Sequence, residues 1–334
     1  DAGWYDSDKV RFRKGRPEKI GGWEKYSENS FLGVCRSIHD WASLASNKYL
    51  ALGTHLKLYV AEGTSFNDIT PIRATTSAGD VTFAATSGSS TITATDTAHG
   101  AVPADFVTFS GAASLGGLVI ADVLNQEYQI ATVPTVNTFT FAAKDTSGDA
   151  VTANGSDSGN GGSSIVGAYQ INTGLNTYID GTGWGSNAWG SGAFGTSAAL
   201  SSGNQLRLYS QDSFGEDLIA NVRGGGVYYW DSSAGTSARA ISVTALAGAS
   251  DAPTAALQIM VSDVDQHVIC FGVNTLGGTD IDPLLVRWSD QESAADWTPT
   301  AINTAGGVRI GQGSQIIGAL QTRQEILIWT DSSI

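Results

Sequence analysis

The stretch LLVRWSDQESAADWTP, residues 284–299, contains the pattern that decides the fold. An apolar run ends in an aromatic residue, Trp288, followed by a polar turn at Ser289-Asp290, and a second aromatic, Trp297, precedes Thr298-Pro299. Parts of this pattern recur in LALGTHLKLYVAEGTSFNDITP at 50–71, GGGVYYWDSS at 224–233 and EILIWTDSSI at 325–334. The recurrence indicates several versions of one β unit, in which the aromatic rings are buried and the acidic residues cap turns.

The composition favours strands over helices. The 334 residues include 41 glycines but only 7 prolines, 15% of them are charged, and Thr, Val and aromatic residues are prominent, as in short strands joined by glycine turns. Trp230 and Trp288 are 58 residues apart, and Trp288 and Trp329 are 41 apart. The second spacing is about the length of a four-stranded propeller blade. We therefore predict an all-β, β-propeller-like array of four-stranded blades, in which a further unit begins with GVRIGQGSQIIGALQTRQEILIWTDSSI at 307–334.

A change of composition divides the chain into three parts. Residues 74–163 are rich in Ser, Thr, Ala, Gly and Asp, contain no Trp, and have Lys144 as their one cation. Strand candidates at 90–96, 105–111, 127–133 and 137–143 predict a small β-sandwich inserted into the array. The predicted domains are an N-terminal strand and first blade at 1–73, the insert at 74–163, and further blades at 164–334. Because the chain lacks an initiating Met and stops just after a strand, we expect residues to be missing at both ends.

Positive charge is concentrated at the N-terminus, although the formal net charge is −14 and opposes binding to nucleic acid or anionic membrane. The run VRFRKGR at 10–16 predicts a strand with one solvent-facing basic side, ending in a turn. This side is either a solvated strand face or a surface for a partner. The candidate contact residues are Arg11, Arg13, Lys14 and Arg16.

The segment GTGWGSNAWGSGAFG at 181–195 has an aromatic-glycine pair every five residues, a period that fits neither helix nor strand. We expect a loop whose rings Trp184, Trp189 and Phe194 pack either on the protein's own surface or against another subunit.

Motifs for catalysis are missing from the sequence. The four histidines have no metal-ligand spacing, and there is no CxxC, no GxSxG and no phosphate-binding loop. Cys35 and Cys270 lie in apolar runs, which favours buried free thiols over a disulfide. Carboxylate pairs such as Asp6/Asp8 and Asp280/Asp282 are typical of surface turns, although they could serve a glycosidase or bind calcium. We expect no enzymatic activity, no cofactor and no membrane span.

Several stretches resemble the tail nozzle, or hub, proteins of short-tailed bacteriophages, also called packaged-DNA stabilisation proteins. Most of the chain outside 74–163 takes part in the resemblance, and DTAHGAVPADFVTFSGA at 96–112 is similar to inserts of such virion proteins. The stretches are WYDSDKVRFRKGRPEKIGGW at 4–23, GWGSNAWG at 183–190, LRLYSQDSFGEDLIANVRGGGVYYWD at 206–231 and RWSDQESAADWTPTAINTAGGVRIGQGSQIIGALQTRQEILIWTD at 287–331.

The resemblance implies a structural virion protein at the distal end of a short tail. Its partners would be other copies of itself in a hexameric ring, the adaptor ring above it, tail fibres in some cases, and genomic DNA that passes through an acidic channel without sequence-specific binding. The family's propeller continues beyond the equivalent of Thr330-Asp331. An alternative function is a receptor-binding adhesin whose insert recognises host glycan, and a third is a propeller polysaccharide hydrolase.

Overall fold

A computed structural model describes residues 8–22, 24–117, 119–177, 206–323 and 325–334. Within these ranges the only α-helix is the four-residue α1, Ala121–Leu124, and nearly all other regular structure is strand. The predicted all-β fold is confirmed. No helix in the described part of the chain is long and apolar enough to cross a membrane.

The N-terminal region forms a hairpin of β1 (Val10–Arg13) and β2 (Arg16–Lys19). Its two loop residues, Lys14 and Gly15, both have positive φ, +51° and +74°, as in the two-residue loops that match the twist of paired strands. The sequence predicted a strand with one solvent-facing side, but Phe12 on the other side is also 52% exposed. Side chains on both sides of this hairpin are therefore exposed to water.

The first blade follows as one antiparallel sheet of consecutive strands. The strands are β3 (Cys35–Ala42), β4 (Lys48–Thr54), β5 (Leu58–Glu62) and β6 (Ser65–Asp68). Strand β5 is almost fully buried, because it is paired on both edges and covered on both faces by apolar side chains.

The inserted sandwich consists of two antiparallel sheets. One has the strand order β11-β10-β15-β7 and the other β12-β13-β9-β8-β14. The strands are β7 (Ile72–Thr75), β8 (Thr82–Ala85), β9 (Thr91–Thr95), β10 (Phe106–Ser110), β11 (Glu127–Gln129), β12 (Thr132–Thr135), β13 (Thr138–Ala142), β14 (Asp157–Asn160) and β15 (Val166–Gln170). The sheets thus extend from residue 72 to residue 170.

The sandwich core is aromatic. Phe83, Phe109 and Phe141 have ring centroids 4.8–5.5 Å apart and exposures of 2% or less. The prediction of a single strand at 127–133 is wrong, because β11 belongs to one sheet and β12 to the other. The chain crosses between the sheets at Ile130, whose amide donates to Asp105 O, and whose side chain is buried in the core.

Three further sheets continue the array after the sandwich. The second blade is β16 (Tyr209–Phe214), β17 (Asp217–Val222), β18 (Val227–Trp230) and β19 (Ile241–Ser242). The third is β20 (Ala256–Val261), β21 (Val268–Asn274), β22 (Ile281–Trp288) and β23 (Gly306–Arg309), and the fourth sheet contains β24 (Ile316–Gln321) and β25 (Ile326–Thr330). Four-stranded blades are therefore confirmed, with a two-stranded sheet after the third.

One boundary between blades differs from the sequence prediction. The pattern starting at Gly307 suggested the first strand of a new blade, whereas β23 pairs with β22 as the outer strand of the third blade. Gly306 pairs with Trp288, and a side chain there would collide with the Trp288 ring; Gly307 pairs with Arg287, where a Cβ would lie a tight 3.1 Å from the Arg287 side chain. Glycine here permits close strand pairing.

The blades stack through apolar faces, with their first strands side by side and pointing the same way. Between β16 and β20, Ile259 N donates to Ser210 Oγ and Val261 N to a carboxylate oxygen of Asp212, at 2.9 and 2.8 Å. Between β3 and β16, Ser37 Oγ lies 3.1 Å from Gln211 Oε1 and Trp41 Nε1 donates to Glu216 O at 2.8 Å. The turns that follow β3, β16 and β20 therefore lie at one end of the array.

One kind of turn reverses the chain in two different blades. Thr54 Oγ1 accepts from Lys57 N at 2.8 Å and donates to Lys57 O at 3.0 Å between β4 and β5. Thr322 makes the same pair of contacts with Glu325 between β24 and β25. The threonine hydroxyl satisfies a backbone donor that the turn would otherwise leave without a partner.

Candidate functional site

The four predicted basic contact residues all lie on the N-terminal hairpin. We name residues 8–22 the basic arm; they contain six Lys or Arg and two Asp or Glu, a formal charge of +4. All of its residues are exposed except the half-buried Val10. In the described part of the chain, Arg11 pairs with Glu18 at 3.3 Å, while Arg13, Lys14 and Arg16 have no carboxylate within 4 Å.

The aromatic residues Trp184, Trp189 and Phe194 lie outside the described residues, so their predicted packing stays a prediction. The segments on either side are held together. Leu175 and Leu206 form a parallel β-bridge, and Gly174 N donates to His55 O at 2.8 Å. Leu175 and Leu206, which flank the segment, therefore lie beside the turn that joins β4 to β5.

A charge cluster that was not predicted from the sequence lies where the first blade, the second blade and the sandwich meet. Lys57, only 2% exposed, places its Nζ 2.7 Å from a carboxylate oxygen of Asp68 and 2.5 Å from one of Glu127. Arg239 of the second blade lies 3.3 Å from Asp68 and 3.5 Å from Glu127. Two cations and two carboxylates thus alternate, and each carboxylate faces both cations.

Further contacts satisfy the remaining polar atoms of the cluster. Asp68 Oδ1 accepts from Thr70 N at 2.9 Å, Gln170 Nε2 donates to Glu127 at 2.5 Å, and Lys57 Nζ lies 4.3 Å from the centre of the Phe106 ring. Buried charges are stable only when they are paired and hydrogen-bonded in this way.

The electrostatics of the cluster favour charged carboxylates. Burial by itself would raise the pKa of Asp68, but the adjacent Lys57 and Arg239 outweigh it and lower the pKa below that of an ordinary Asp. The nearby Tyr59, whose hydroxyl accepts from Leu32 N, has its pKa raised to about 12, chiefly by burial. A carboxylate that stays ionised and paired is a poor general acid, so the cluster is better suited to holding domains together than to proton transfer.

Local sequence could not have revealed this cluster. Lys57 stands between Leu56 and Leu58, and a lysine in an apolar run is the only signal that it might be buried. Glu127 is 70 residues away in the insert, and Arg239 is in the second blade. Only the packing of three sheets brings them together.

The aromatic and acidic residues of 284–299 have structural roles. Trp297 is fully buried and donates from Nε1 to Ala294 O at 2.9 Å. Asp290 accepts from both the amide and the hydroxyl of Thr304, at 2.8 and 2.7 Å, and these bonds lower its pKa. Trp288 Nε1 donates to Thr304 O at 2.8 Å. These bonds hold the long connection between β22 and β23.

An apolar groove lies beside β25. Its volume is about 430 Å³, and its lining consists of Ile310, Ile326, Leu327, Ile328 and Ile334, with Gly311, Gln312, Thr330 and Ser333 as the remaining members. The lining has no titratable side chain, so the groove suits apolar packing rather than acid–base chemistry.

The other candidates for chemistry are dispersed. Asp282 pairs with Arg309 at 2.6 Å, which lowers the pKa of the carboxyl, and Asp280 is exposed. Asp6 of the pair Asp6/Asp8 lies outside the described residues. Within the described ranges, no three His, Cys, Asp or Glu side chains are grouped as metal ligands. Cys35 and Cys270 are free thiols, as predicted, but of the two only Cys270 is buried, and Cys35 is half-buried.

Comparison with known proteins leaves the family open. No protein-family model matches the sequence, and no curated protein is significantly similar to it. Among solved structures, the phage phi92 endosialidase is similar with a TM-score of 0.26 and 13% identity, over 94% of this chain. The chain spans 43% of the length of that structure. A similarity at this level assigns no function to the chain.

Proposed function

We propose that this chain is a structural subunit of the tail nozzle of a short-tailed bacteriophage, where six copies form a ring at the distal end of the tail. The ring closes the DNA channel until infection and then conducts the genome. It contacts the adaptor ring above it and, in some tails, fibres. The role needs no catalytic residue and no cofactor, because retention and release depend on conformation.

The observation that carries this proposal is the separation of charge within the chain. The whole chain has a net charge of −14, but the basic arm carries +4, and its residues are exposed except for the half-buried Val10. Opposite charges on separate surfaces of one chain favour ordered association between copies and with neighbouring proteins. The stretches that resemble nozzle proteins include this arm and three of the four sheets of the array.

The acidic balance also suits a DNA channel. A surface of negative charge repels phosphate, so passing DNA is not held by the counterion release that makes basic channels bind tightly. The proposal therefore includes passage of DNA without sequence-specific binding.

Electron microscopy of purified virions tests the proposal. We expect six-fold density for this chain at the tail tip, into which the stacked blades and the sandwich fit as one unit. Labelling of the chain only in the capsid, or its absence from virions, would refute the nozzle assignment.

A receptor-binding adhesin is the second candidate, and one observation favours it. The sandwich leaves and rejoins the array at neighbouring residues, since Ile171 N donates to Pro71 O at 3.0 Å. It is thus a separate unit of the kind that carries a binding site on a scaffold.

The same geometry allows the sandwich to be deleted, although the deletion also removes Glu127 from its contact with Lys57. Replacing residues 72–170 by a short Gly-Ser linker should leave the blades connected. Loss of adsorption with intact, filled tails would favour the adhesin, whereas loss of genome retention would favour the nozzle. Activity on envelope glycans that disappears when Asp280 and Asp282 are neutralised would instead support a hydrolase.

A further inference from the structure

The three most exposed large apolar side chains of the described residues lie at the same end of the array. They are Ile302, Leu44 and Val264, with exposures of 96%, 94% and 87%. Leu44 is in the turn after β3 and Val264 is in the turn after β20, and these turns share one end because the first strands of the blades run in the same direction. We name these three residues the apolar tips.

Ile302 joins this group through the long connection of the third blade, residues 289–305. Glu292 N in that connection donates to Asp265 O in the turn that carries Val264, at 3.3 Å. Thr304, two residues after Ile302, is bonded to Asp290 and Gln291. The connection is therefore held against the turn after β20.

Hydrogen bonds hold each apolar tip in a defined turn. Ser43 N donates to Asn47 O at 2.9 Å around Leu44, and Ser262 N donates to His267 O at 2.9 Å around Val264. Thr300 N donates to Asn303 Oδ1 at 2.8 Å beside Ile302. Each tip therefore holds an aliphatic side chain in a fixed, exposed position, where a second molecule could cover it.

The surroundings of two tips are acidic. The turn after β20 and the connection 289–305 contain five carboxylates and no Lys or Arg. The exposed ones are Asp263, Asp265 and Glu292. This charge opposes docking on anionic lipid or nucleic acid, and it favours a basic protein surface that also offers apolar side chains.

Within this chain, the basic arm combines positive charge with exposed apolar side chains. Arg13, Lys14 and Arg16 lack a carboxylate within 4 Å among the described residues, and Ile20 of the arm is 43% exposed. The sandwich is also acidic, but the sequence neighbours of its exposed apolar residue Val136 are the uncharged Thr135 and Asn137.

We infer that the basic arm of one copy docks on the acidic turns around Val264 and Ile302 of a second copy. The contact joins two different surfaces, so repetition closes a ring or extends a filament. This contact would join neighbouring copies in the ring of the proposed function. The inference rests on that proposed function only for the number of copies in the ring.

Charge reversal of both surfaces tests the contact. In the chain of 334 residues, we would compare D263K/D265K, R13E/R16E and the combination of all four changes by light scattering after size exclusion at low salt. Each double variant should weaken assembly by about tenfold or more, and the combination should restore it, because the reversed charges again attract. Circular dichroism is the control measurement for whether all three variants are folded.

Substitutions at the apolar tips provide a second test with a matched control. V264S/I302S should also weaken assembly, whereas V136S, at a similarly exposed turn of the sandwich, should leave it unchanged. A wild-type chain that stays monomeric, double variants that assemble like wild type, or a folded combination without recovery would each overturn the inference. If purified copies do not make this contact, microscopy still tests whether the chain lies in the tail. If the chain is absent from the tail, a contact measured between purified copies still stands.

Discussion

The ammonium group of Lys57 lies 2.5 Å from a carboxylate oxygen of Glu127, although 70 residues separate them in sequence. Lys57 belongs to the first blade and Glu127 to the sandwich, so this pair connects the inserted domain to the array. Asp68 and Arg239 complete the cluster and bring in the second blade. The cluster lies beside the junction of the two domains, since Gln170, which precedes Ile171, donates to Glu127, and Thr70, which precedes Pro71, donates to Asp68.

Glu127→Gln should loosen this attachment. The amide keeps the shape of the side chain but leaves Lys57 with one carboxylate fewer, and we expect a loss of about 1–3 kcal/mol in stability. Urea denaturation measures the loss, and a cycle with Lys57→Met should show a coupling above about 1 kcal/mol. The exposed Glu292→Gln is the control and should be neutral. If the stability losses of Glu127→Gln and Lys57→Met were simply additive, the predicted coupling between the two side chains would be wrong.

Stability should fall on acidification through Asp68. The cations Lys57 and Arg239 outweigh burial and lower its pKa in the folded protein. The carboxylate therefore stabilises the fold above its unfolded pKa of about 3.9, and this contribution is lost as pH falls through the lower folded value. Denaturation midpoints should drop more steeply below about pH 4 for wild type than for Asp68→Asn. Parallel pH profiles for the two proteins would count against this role.

Thr54→Val should destabilise the first blade. Thr54 is fully buried, and valine keeps its shape while removing the hydroxyl that bonds to Lys57 N and O. Lys57 O would still accept from Thr54 N, but the buried Lys57 amide would lose its partner, which should cost about 2 kcal/mol. Thr322→Val removes the same turn contacts at an exposed position and serves as the matched control, for which thermal unfolding should shift much less. Equal shifts would show that burial does not decide the cost.

Trp297→Leu should act on folding rather than on a binding surface. The ring is fully buried between the second and third blades, and the smaller side chain leaves a cavity. We expect a loss of about 3 kcal/mol, measured by chemical denaturation. Trp288→Leu, at a half-buried ring, should cost less. A stable, folded Trp297→Leu protein that fails only in assembly would revive a binding role for 284–299.

Replacing Trp184 and Trp189 by Ser should weaken assembly of the ring while the single chain still folds. The expectation follows from the aromatic-glycine period of 181–195, whose rings need packing partners. Sedimentation measures the assembly, and circular dichroism measures the fold. An unchanged ring would indicate that these rings pack on their own subunit.

The sequence determined the class of fold because its signals are local. Glycine turns, alternating apolar residues and aromatic-acid strand ends predict antiparallel strands wherever they occur, and four-stranded sheets formed in most of the predicted places. The same patterns do not specify which strand a segment pairs with. Gly306–Arg309 therefore belongs to the preceding blade, and residues 127–133 divide between two sheets.

Tertiary structure alone decided the charge cluster around Lys57 and the placement of the apolar tips. Lys57 has an ordinary sequence environment, and its burial depends on three sheets that converge from distant parts of the chain. Leu44, Val264 and Ile302 are common aliphatic residues in sequence, and only the parallel arrangement of the first strands places them at one end. Local chemistry thus sets strands and turns, whereas charge pairing and exposure depend on long-range packing that no single stretch encodes.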